Sequence, residues 1–409
     1  MTPSTPPIVD LDAVRKLRSE FDEPTGERIQ RTVDRIVEVK RRGGKVAVVT
    51  GSGPNLHEGA TTLVAELMRV GIVDGVTTSS AVVAHEMAGV LDWVKRVDGR
   101  AAKLPPEILP KGGGFELTLF EGSGGPAFPD QVPHDRDLVD RLSAAPGETV
   151  LKAAGNLGYP MGLWIERLSE ELLAVARNRG ESFERIAGLG ADLRTTIGVG
   201  AELGKPVLVT IPQLVGGGTV GLAIGDSLSI AERAARVADL LADAEVIVES
   251  GVALTQEIHD GPFETYTGHG LWAAWRGEKT FSLEGKTLVR IDLDPNLERV
   301  WEIERGAGAV QDAVRTGVPK TKTFGVPFRM EMSGFARLEG SLPIVGDLGA
   351  VWPVLALGVA EALGIELSFM SYPQQTARGK EMREWIAREI RPFSRAKMET
   401  CLNKDEGGI

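Results

Sequence analysis

The sequence predicts an α/β protein: a mainly parallel sheet with helices on both faces and one long irregular insertion. Three observations predict it. Short β-branched runs alternate with stretches of helical periodicity along most of the 409 residues. Many of the 50 glycines stand where an apolar run meets a helix-like run, the place for a tight strand-to-helix turn. Strands joined through helical crossovers must run parallel.

The elements follow in order. Residues up to about Pro24 read as a loose arm followed by a short helix. Thr25 to Arg42 carries Ile29, Val33, Ile36 and Val37 at helical spacing among charges, and Gly43-Gly44 ends that helix. Lys45 to Thr50 is a β-branched run and reads as a strand. After the loop Gly51-Ser-Gly-Pro-Asn55, the apolar stripe Leu63, Leu67, Val70 defines a helix over Leu56 to Val70. Ile72 to Thr77 is the next strand, and a helix is expected from Ser79-Ser80 through Val94. From Arg100 to about Pro146 the pattern dissolves, because Pro105-Pro106, Gly112-Gly113-Gly114 and Pro133 interrupt every candidate element. So long an irregular segment marks a functional lid or an oligomer contact.

The alternation then resumes. Leu163 to Asn178 and Asp192 to Leu203 read as helices, Pro206 to Ile211 as a strand and Val215 to Gly221 as a glycine-rich loop. Ser229 with Glu232 three residues on is a capping box. Val246 to Glu249, Thr287 to Leu293 and Pro343 to Asp347 are further strands, the last breaking into a loop before an apolar helix from Val354. The expected division is an arm and helix at 1–42, a first half of the sheet at 43–146 with the irregular insertion, a second half at 147–395 and a tail at 396–409. A single continuous sheet is the alternative to the boundary near Gly147.

A formal charge of −11 gives no general attraction for nucleic acid or anionic lipid, so neither is expected as the principal partner. Cys401 is the single cysteine, which excludes an internal disulfide and a cysteine-based zinc site within one chain. No metal site is expected. The N-terminal Met-Thr-Pro-Ser-Thr-Pro-Pro lacks the blocks of a secretory signal, and the apolar run Leu348 to Ala360 is too short to span a bilayer. A cytoplasmic protein is expected.

Several stretches carry candidate chemistry. Gly51-Ser-Gly-Pro-Asn-Leu56 lies between strand and helix but lacks the third glycine of the dinucleotide fingerprint, and Pro54 removes a donor. Its small residues still let backbone N–H groups approach an anion; the alternative is a tight turn with no ligand. Thr77-Thr-Ser-Ser80 ends a strand, where open α/β sheets bind ligands, or simply caps the helix bearing His85 and Glu86. His85 is either a site residue or a half-exposed helix residue. The glycines around Gly217 need a reason such as close backbone approach. Asp292 and Asp294 end a strand and suit a ribose diol, or form an Asp-Pro turn. The densest group of acid–base side chains is Glu257, His259 and His269, placed after the strand Val246 to Glu249.

Taken in order, Lys45-Val-Ala-Val-Val-Thr-Gly-Ser-Gly-Pro-Asn55, Gly71-Ile-Val-Asp-Gly-Val-Thr-Thr-Ser-Ser80, Gly204-Lys-Pro-Val-Leu-Val-Thr210 and Ala244-Glu-Val-Ile-Val-Glu-Ser-Gly251 resemble deoxyhypusine synthase. Gly346-Asp-Leu-Gly349 and Val289-Arg-Ile-Asp-Leu-Asp-Pro-Asn296 are also similar to the archaeal NAD-dependent ornithine cyclodeaminases. The resemblance covers about a third of the chain, counted over these stretches. It implies a Rossmann-like domain that binds NAD at the carboxyl edge of the sheet, commonly in a homotetramer. It also implies NAD that is recycled during transient oxidation of a small polar metabolite, an amine or amino acid, followed by elimination or transfer. One departure matters: where deoxyhypusine synthase has its catalytic lysine, this chain has Ser333-Gly-Phe-Ala-Arg337. Lyase or transferase chemistry on a small molecule is therefore expected, not modification of a protein lysine. On this reading Gly51, Ser52, Gly53, Asn55, Ser79, Ser80, Gly217, Asp292, Asp294 and Asp347 hold NAD. Glu257, His259 and His269 move protons, with Glu86 and His85 behind them. An ordinary dehydrogenase that releases NADH and a non-catalytic nucleotide-binding scaffold stay open as other readings.

Overall fold

The computed structural model describes residues 9–51, 53–109, 111–119, 136–155, 161–212, 214–251, 283, 285–306, 315–318, 320–325 and 339–406. Among the described residues, six strands form one parallel sheet: β1 (Lys45–Thr50), β2 (Gly75–Ser79), β6 (Val207–Ile211), β7 (Ala244–Ser250), β8 (Thr287–Asp292) and β9 (Ser341–Val345). Their order across the sheet is β6-β2-β1-β7-β8-β9. Counted along the chain within this sheet, that order is 3-2-1-4-5-6, the doubly wound arrangement of dinucleotide-binding folds. The expected fold class is borne out.

Side-chain alternation explains why both faces are covered. Val46 and Val48 of β1, with Val246 and Val248 of β7, point into the larger core. That core is closed by helices α2 (Glu23–Arg41) and α4 (Ala60–Arg69) and by the helix Leu348–Leu363. Ala47, Val49 and Ile247 point the other way, into a core closed by α11 (Ile230–Asp243) and the helix Asn296–Gly306. Crossovers on opposite faces are what right-handed connections require when the chain winds outward in both directions from β1 and β7.

The segment from 100 to 146 departs from expectation. It contributes β4 (Gly114–Thr118) and α6 (Arg136–Ala144) and leads into β5 (Gly147–Ala153). Both strands pair antiparallel with β3 (Leu91–Asp98), giving a second sheet β4-β3-β5 between β2 and β6 in the chain. The helix expected through Val94 ends early for a backbone reason. Helix α5 (Ser80–Met87) stops where Gly89 and Val90 take positive φ of 101° and 71°, and β3 begins at once. Gly147 starts β5 with its Cα against the Arg96 carbonyl, where an added Cβ would stand 2.1 Å away.

Three other elements differ. The helix expected over Leu56 to Val70 is two, α3 (Pro54–His57) and α4, because Gly59 is left-handed at φ +68° beneath Met382. The glycine-rich loop is helix α10 (Leu214–Ser227). Its glycines permit close packing, since a Cβ on Gly217 would lie 2.4 Å from Ser80 Oγ and one on Gly218 1.8 Å from Glu166 Oε1. The apolar helix expected from Val354 already begins at Leu348 and carries Pro353 inside it. No helix among the described residues is long and apolar enough to cross a membrane.

The packing of α11 on the sheet includes one buried ion pair. Arg233 donates to Glu184 of α8 (Phe183–Gly190) at 2.6 Å, to Val209 O at 3.0 Å and to Ile224 O at 2.6 Å, while Glu184 also accepts from Val209 N at 2.8 Å. Arg233→Met would strand a buried carboxylate. We expect a loss of about 3–5 kcal/mol, measured by urea unfolding, against less than about 1 kcal/mol for the exposed pair Arg236–Glu232.

Candidate functional site

The chain leaves β1 and β7, adjacent strands, in opposite directions, and this opens a crevice above their carboxyl ends. Thr50 and Ser250 are register partners, and Gly51 and Gly251 follow them. Gly53 caps the start of α3 at φ +65°, and no described residue comes within 4 Å of the place its Cβ would occupy. Asn55, 1% exposed, reaches across the crevice: its amide nitrogen donates to Ser250 O at 3.0 Å, and its oxygen accepts from the Ser250 hydroxyl. Trp352 Nε1 completes the junction by donating to Ser250 Oγ at 2.7 Å. The Asn55 side chain therefore braces the loop on β7, a role the sequence reading of direct NAD contact did not foresee. On β2, Thr78 shares a 3.0 Å hydrogen bond with Thr50. Among the described residues, the buried hydroxyls of Thr77 on β2 and Thr210 on β6 have no hydrogen-bond partner.

The other residues expected at the cofactor are spread along the same edge. Ser79 caps α5, accepting from Val82 N at 3.4 Å, and Ser80 is buried beneath Gly217 where α5 and α10 begin side by side. Asp292 accepts from Asp294 N at 2.8 Å, and Asp294 from Asn296 N at 2.9 Å, so both carboxylates make turns onto their own backbone. Asp347 caps the helix Leu348–Leu363 through Gly349 N at 2.7 Å. Burial, with a smaller push from the Asp347 charge, raises the pKa of Glu58 against the hydrogen bond it accepts from Gln374 N at 2.7 Å. Ser52 lies outside the described residues, as do Glu257, His259 and His269.

Of the secondary acid–base candidates, Glu86 is engaged elsewhere. It is fully buried and accepts from Thr196 N at 3.0 Å, Thr196 Oγ1 at 2.8 Å and Ile197 N at 3.0 Å, which ties it to the first turn of α9 (Thr196–Leu203). Burial pushes its carboxyl up to about 7 against the pull of those donors. A carboxylate so enclosed holds a helix end and does not face the crevice. His85 is buried, not half-exposed, and its Nδ1 bonds Ala154 O.

Sequence reasoning passed over two residues. His57, at the end of α3, receives a hydrogen bond from Arg383 at 3.2 Å, and Arg383 also donates to Leu151 O at 2.8 Å. Burial, then Arg383, then His85 and Lys152 lower the His57 imidazole to about 4. Asp92, near the start of β3, is pushed up to about 7 by burial while accepting from Gly155 N at 3.2 Å. The signals were present: His57 follows the first glycine loop after β1 by two residues, and Asp92 opens an alternating run.

A cavity of about 710 Å³ opens at the amino edge, beside Lys45, Asp74, Glu184, Lys205 and Asp243. Parallel sheets bind at their carboxyl ends, so the winding reversal at β1 and β7 is the better candidate.

No protein-family model and no curated protein matches the chain. Among solved structures, AgrE in its ternary complex with ornithine and NAD+ is 13% identical, with a TM-score of 0.41 over 84% of this chain and 34% of that one. ArgZ, an arginine dihydrolase from the ornithine–ammonia cycle in cyanobacteria, is 12% identical, with a TM-score of 0.40 over 84% of this chain and 32% of that one. A conserved protein of the LOR/SDH type from Methanococcus maripaludis S2 is 10% identical, with a TM-score of 0.38 over 85% of this chain and 70% of that one. The chain thus spans about a third of the length of ArgZ and AgrE. The strand order, not these likenesses, carries the fold.

Glu86 yields a pH prediction. Its carboxyl is raised from 4.5 to about 7, so the folded state holds the proton more tightly than the unfolded chain. That contribution to stability is present below pH 4.5 and fades as pH rises through about 7. The stability deficit of Glu86→Gln against wild type should shrink by about 1–3 kcal/mol between roughly pH 5 and 8, measured by chemical denaturation.

Proposed function

We propose that the chain binds NAD across the carboxyl ends of β1 and β7 and retains it while a small amine or amino acid is transiently oxidised, then loses or exchanges a group. The 3-2-1-4-5-6 strand order, with glycines on both sides of its reversal point, carries this reading. The residues present fit a dinucleotide. Gly51 and Gly53 carry no side chain, and no described residue fills the space above Gly53. The adjacent starts of α5 and α10 direct N–H groups and positive dipole ends toward the same edge. The lone hydroxyls of Thr77 and Thr210 lie near the strand ends. Gly51, Ser52 and Gly53 would meet the pyrophosphate, Ser80 and Gly217 would stand beside it, and Asp292 and Asp294 would take ribose hydroxyls.

NAD supplies a reversible two-electron oxidation at a carbon bearing nitrogen. The chain supplies orientation, exclusion of water and the proton acceptor. The ordered resemblance to deoxyhypusine synthase and the ornithine cyclodeaminases supports this substrate class, a recycled cofactor and a homotetramer, and the missing lysine argues against a protein substrate.

The test is direct. Purified protein should release NAD on denaturation, and NAD+ at about a hundred times its Kd should stabilise the stripped protein by about 2.7 kcal/mol. Gly53→Val, which fills the open space and strains a positive φ, should abolish that stabilisation. A panel including L-ornithine, L-arginine and simple diamines, followed by mass spectrometry, should reveal a product without net accumulation of NADH. Absence of both released NAD and a thermal shift would defeat the reading.

A further inference from the structure

The cavity of about 710 Å³ at the amino edge reaches the free side of the parallel sheet. Its lining draws Ile197 and Ala201 from one core and Leu208 and Leu240 from the other, so it opens where the sheet no longer separates them. β6 is the outermost strand on that side. Val76 N donates to Pro206 O at 2.9 Å, and alternate residues of a strand face the same neighbour. Val207 and Val209 therefore turn their N–H and C=O groups away from β2. At Val209 the outward groups are closed. Glu184 accepts from the N–H at 2.8 Å, Arg233 donates to the C=O at 3.0 Å, and the two side chains bond each other at 2.6 Å. That ion pair stands where a neighbouring strand would. Val207 lines the cavity, and no described residue bonds its N–H or its C=O.

Charge around this open rung is uneven. The lining carboxylates Asp74, Asp243 and Glu181 each face a cation of their own, Lys40, Lys45 and Arg236. Two lining cations hydrogen-bond only to neutral carbonyls among the described residues. Arg185 donates to Ala201 O, and Lys205 donates to Met68 O at 2.8 Å and Val73 O at 2.6 Å. Both groups keep donors to spare. Lys205 precedes Val207 by two residues, so this positive charge borders the unpaired backbone.

We propose that this cavity binds an N-acylated amino acid, at a site separate from the nucleotide crevice. The open rung calls for a donor and an acceptor on one residue, arranged as in an antiparallel pair. The ligand's amide N–H donates to Val207 O, and one carboxylate oxygen accepts from Val207 N–H. Antiparallel running sets that carboxylate toward Lys205, where the ammonium and the Arg185 guanidinium meet its other oxygen. The acyl end runs toward Val209, where the Glu184–Arg233 pair already occupies the next rung. The site therefore reads one residue with its acyl group, not a long peptide. The side chain of that residue lies on the Val207 side of the sheet, with Ile197 and Ala201, so an apolar one fits. The volume is that of a small-molecule site.

Isothermal titration calorimetry of the full chain with N-acetyl-L-leucine tests the site. Saturable binding to a single site is expected, with the same affinity in the presence of saturating NAD+. The methyl ester of that ligand lacks the charge, and N-acetyl-N-methyl-L-leucine lacks the N–H donor. Each should bind about tenfold more weakly. An acetylated octapeptide ending in leucine should also lose about tenfold or more, since its chain meets Glu184 and Arg233. Lys205→Gln should weaken N-acetyl-L-leucine about tenfold while leaving the methyl ester little changed, a selectivity that a general loss of structure does not produce. The analogue series decides the matter even where Lys205→Gln folds poorly. No binding of N-acetyl-L-leucine at up to about 10 mM, equal affinity for either analogue, or displacement by NAD+ would overturn the site. An octapeptide that binds as tightly as the single residue would overturn the one-residue limit.

Discussion

The site depends on one constraint, the reversal of winding between β1 and β7. Two parallel strands whose chains leave in opposite directions cannot share a crossover above their carboxyl ends, so a gap is built into the topology. Left unbraced, the gap would expose the ends of two buried strands. Asn55 spans it with two hydrogen bonds to Ser250, and Trp352 meets the same serine from a helix almost three hundred residues further along the chain. This junction joins the loop after β1, the end of β7 and the helix after β9 into one unit. Gly51, Gly53 and Gly251 therefore face the crevice from fixed positions.

Burial of charged groups around this junction is costly, and two cases show how it is offset. Glu86 loses water but gains two backbone N–H groups and a hydroxyl at the start of α9, donors that would otherwise be unpaired at a helix end. Glu249 and Arg290, facing register partners on β7 and β8, are both buried and bonded to each other. A buried charge pair is weak grounds for stability, but removal of either partner leaves an uncompensated charge. These groups lock strand and helix positions near the crevice and limit how far its walls move.

The parallel sheet was legible because its signals are local and repeated. The strand at Lys45–Thr50 agrees residue for residue, and β-branched runs placed β6, β7 and β8 within two residues at either end. The antiparallel sheet was not legible, because its strands lie among prolines and glycines that each read as breakers. Phe115-Glu-Leu-Thr118 is too short for alternation to outweigh Gly112-Gly113-Gly114. Gly216-Gly-Gly218 misled in the same way: helix α10 tolerates its glycines because Ser80 and Glu166 occupy the space that side chains would need. At the site, Asp292, Asp294 and Asp347 stand at strand ends as the sequence suggests, yet each carboxylate is turned onto nearby backbone. His57 was readable as a position and not as a role, since its partner Arg383 comes from the far end of the chain.

The insertion point of the second sheet now has a physical rationale. An insertion that leaves β2 at its carboxyl end starts on the edge where parallel sheets bind ligands, and α5 carries His85 in its last turn, just before β3. The strand that follows brings Asp92, and its partner β5 ends at the Ala154–Gly155 peptide that joins the two. Helix Ala377–Glu389 then packs against β3 and β5 and supplies Arg383 to His57. Topology thus separates two parts of the molecule: the main sheet turns the glycines after β1 and β7 toward the crevice, while the inserted sheet is tied to α5 by the bond from His85 to Ala154 O and packs against the helix Ala377–Glu389. Because the inserted sheet makes its own strand pairs, the winding reversal between β1 and β7 does not depend on β3, β4 or β5.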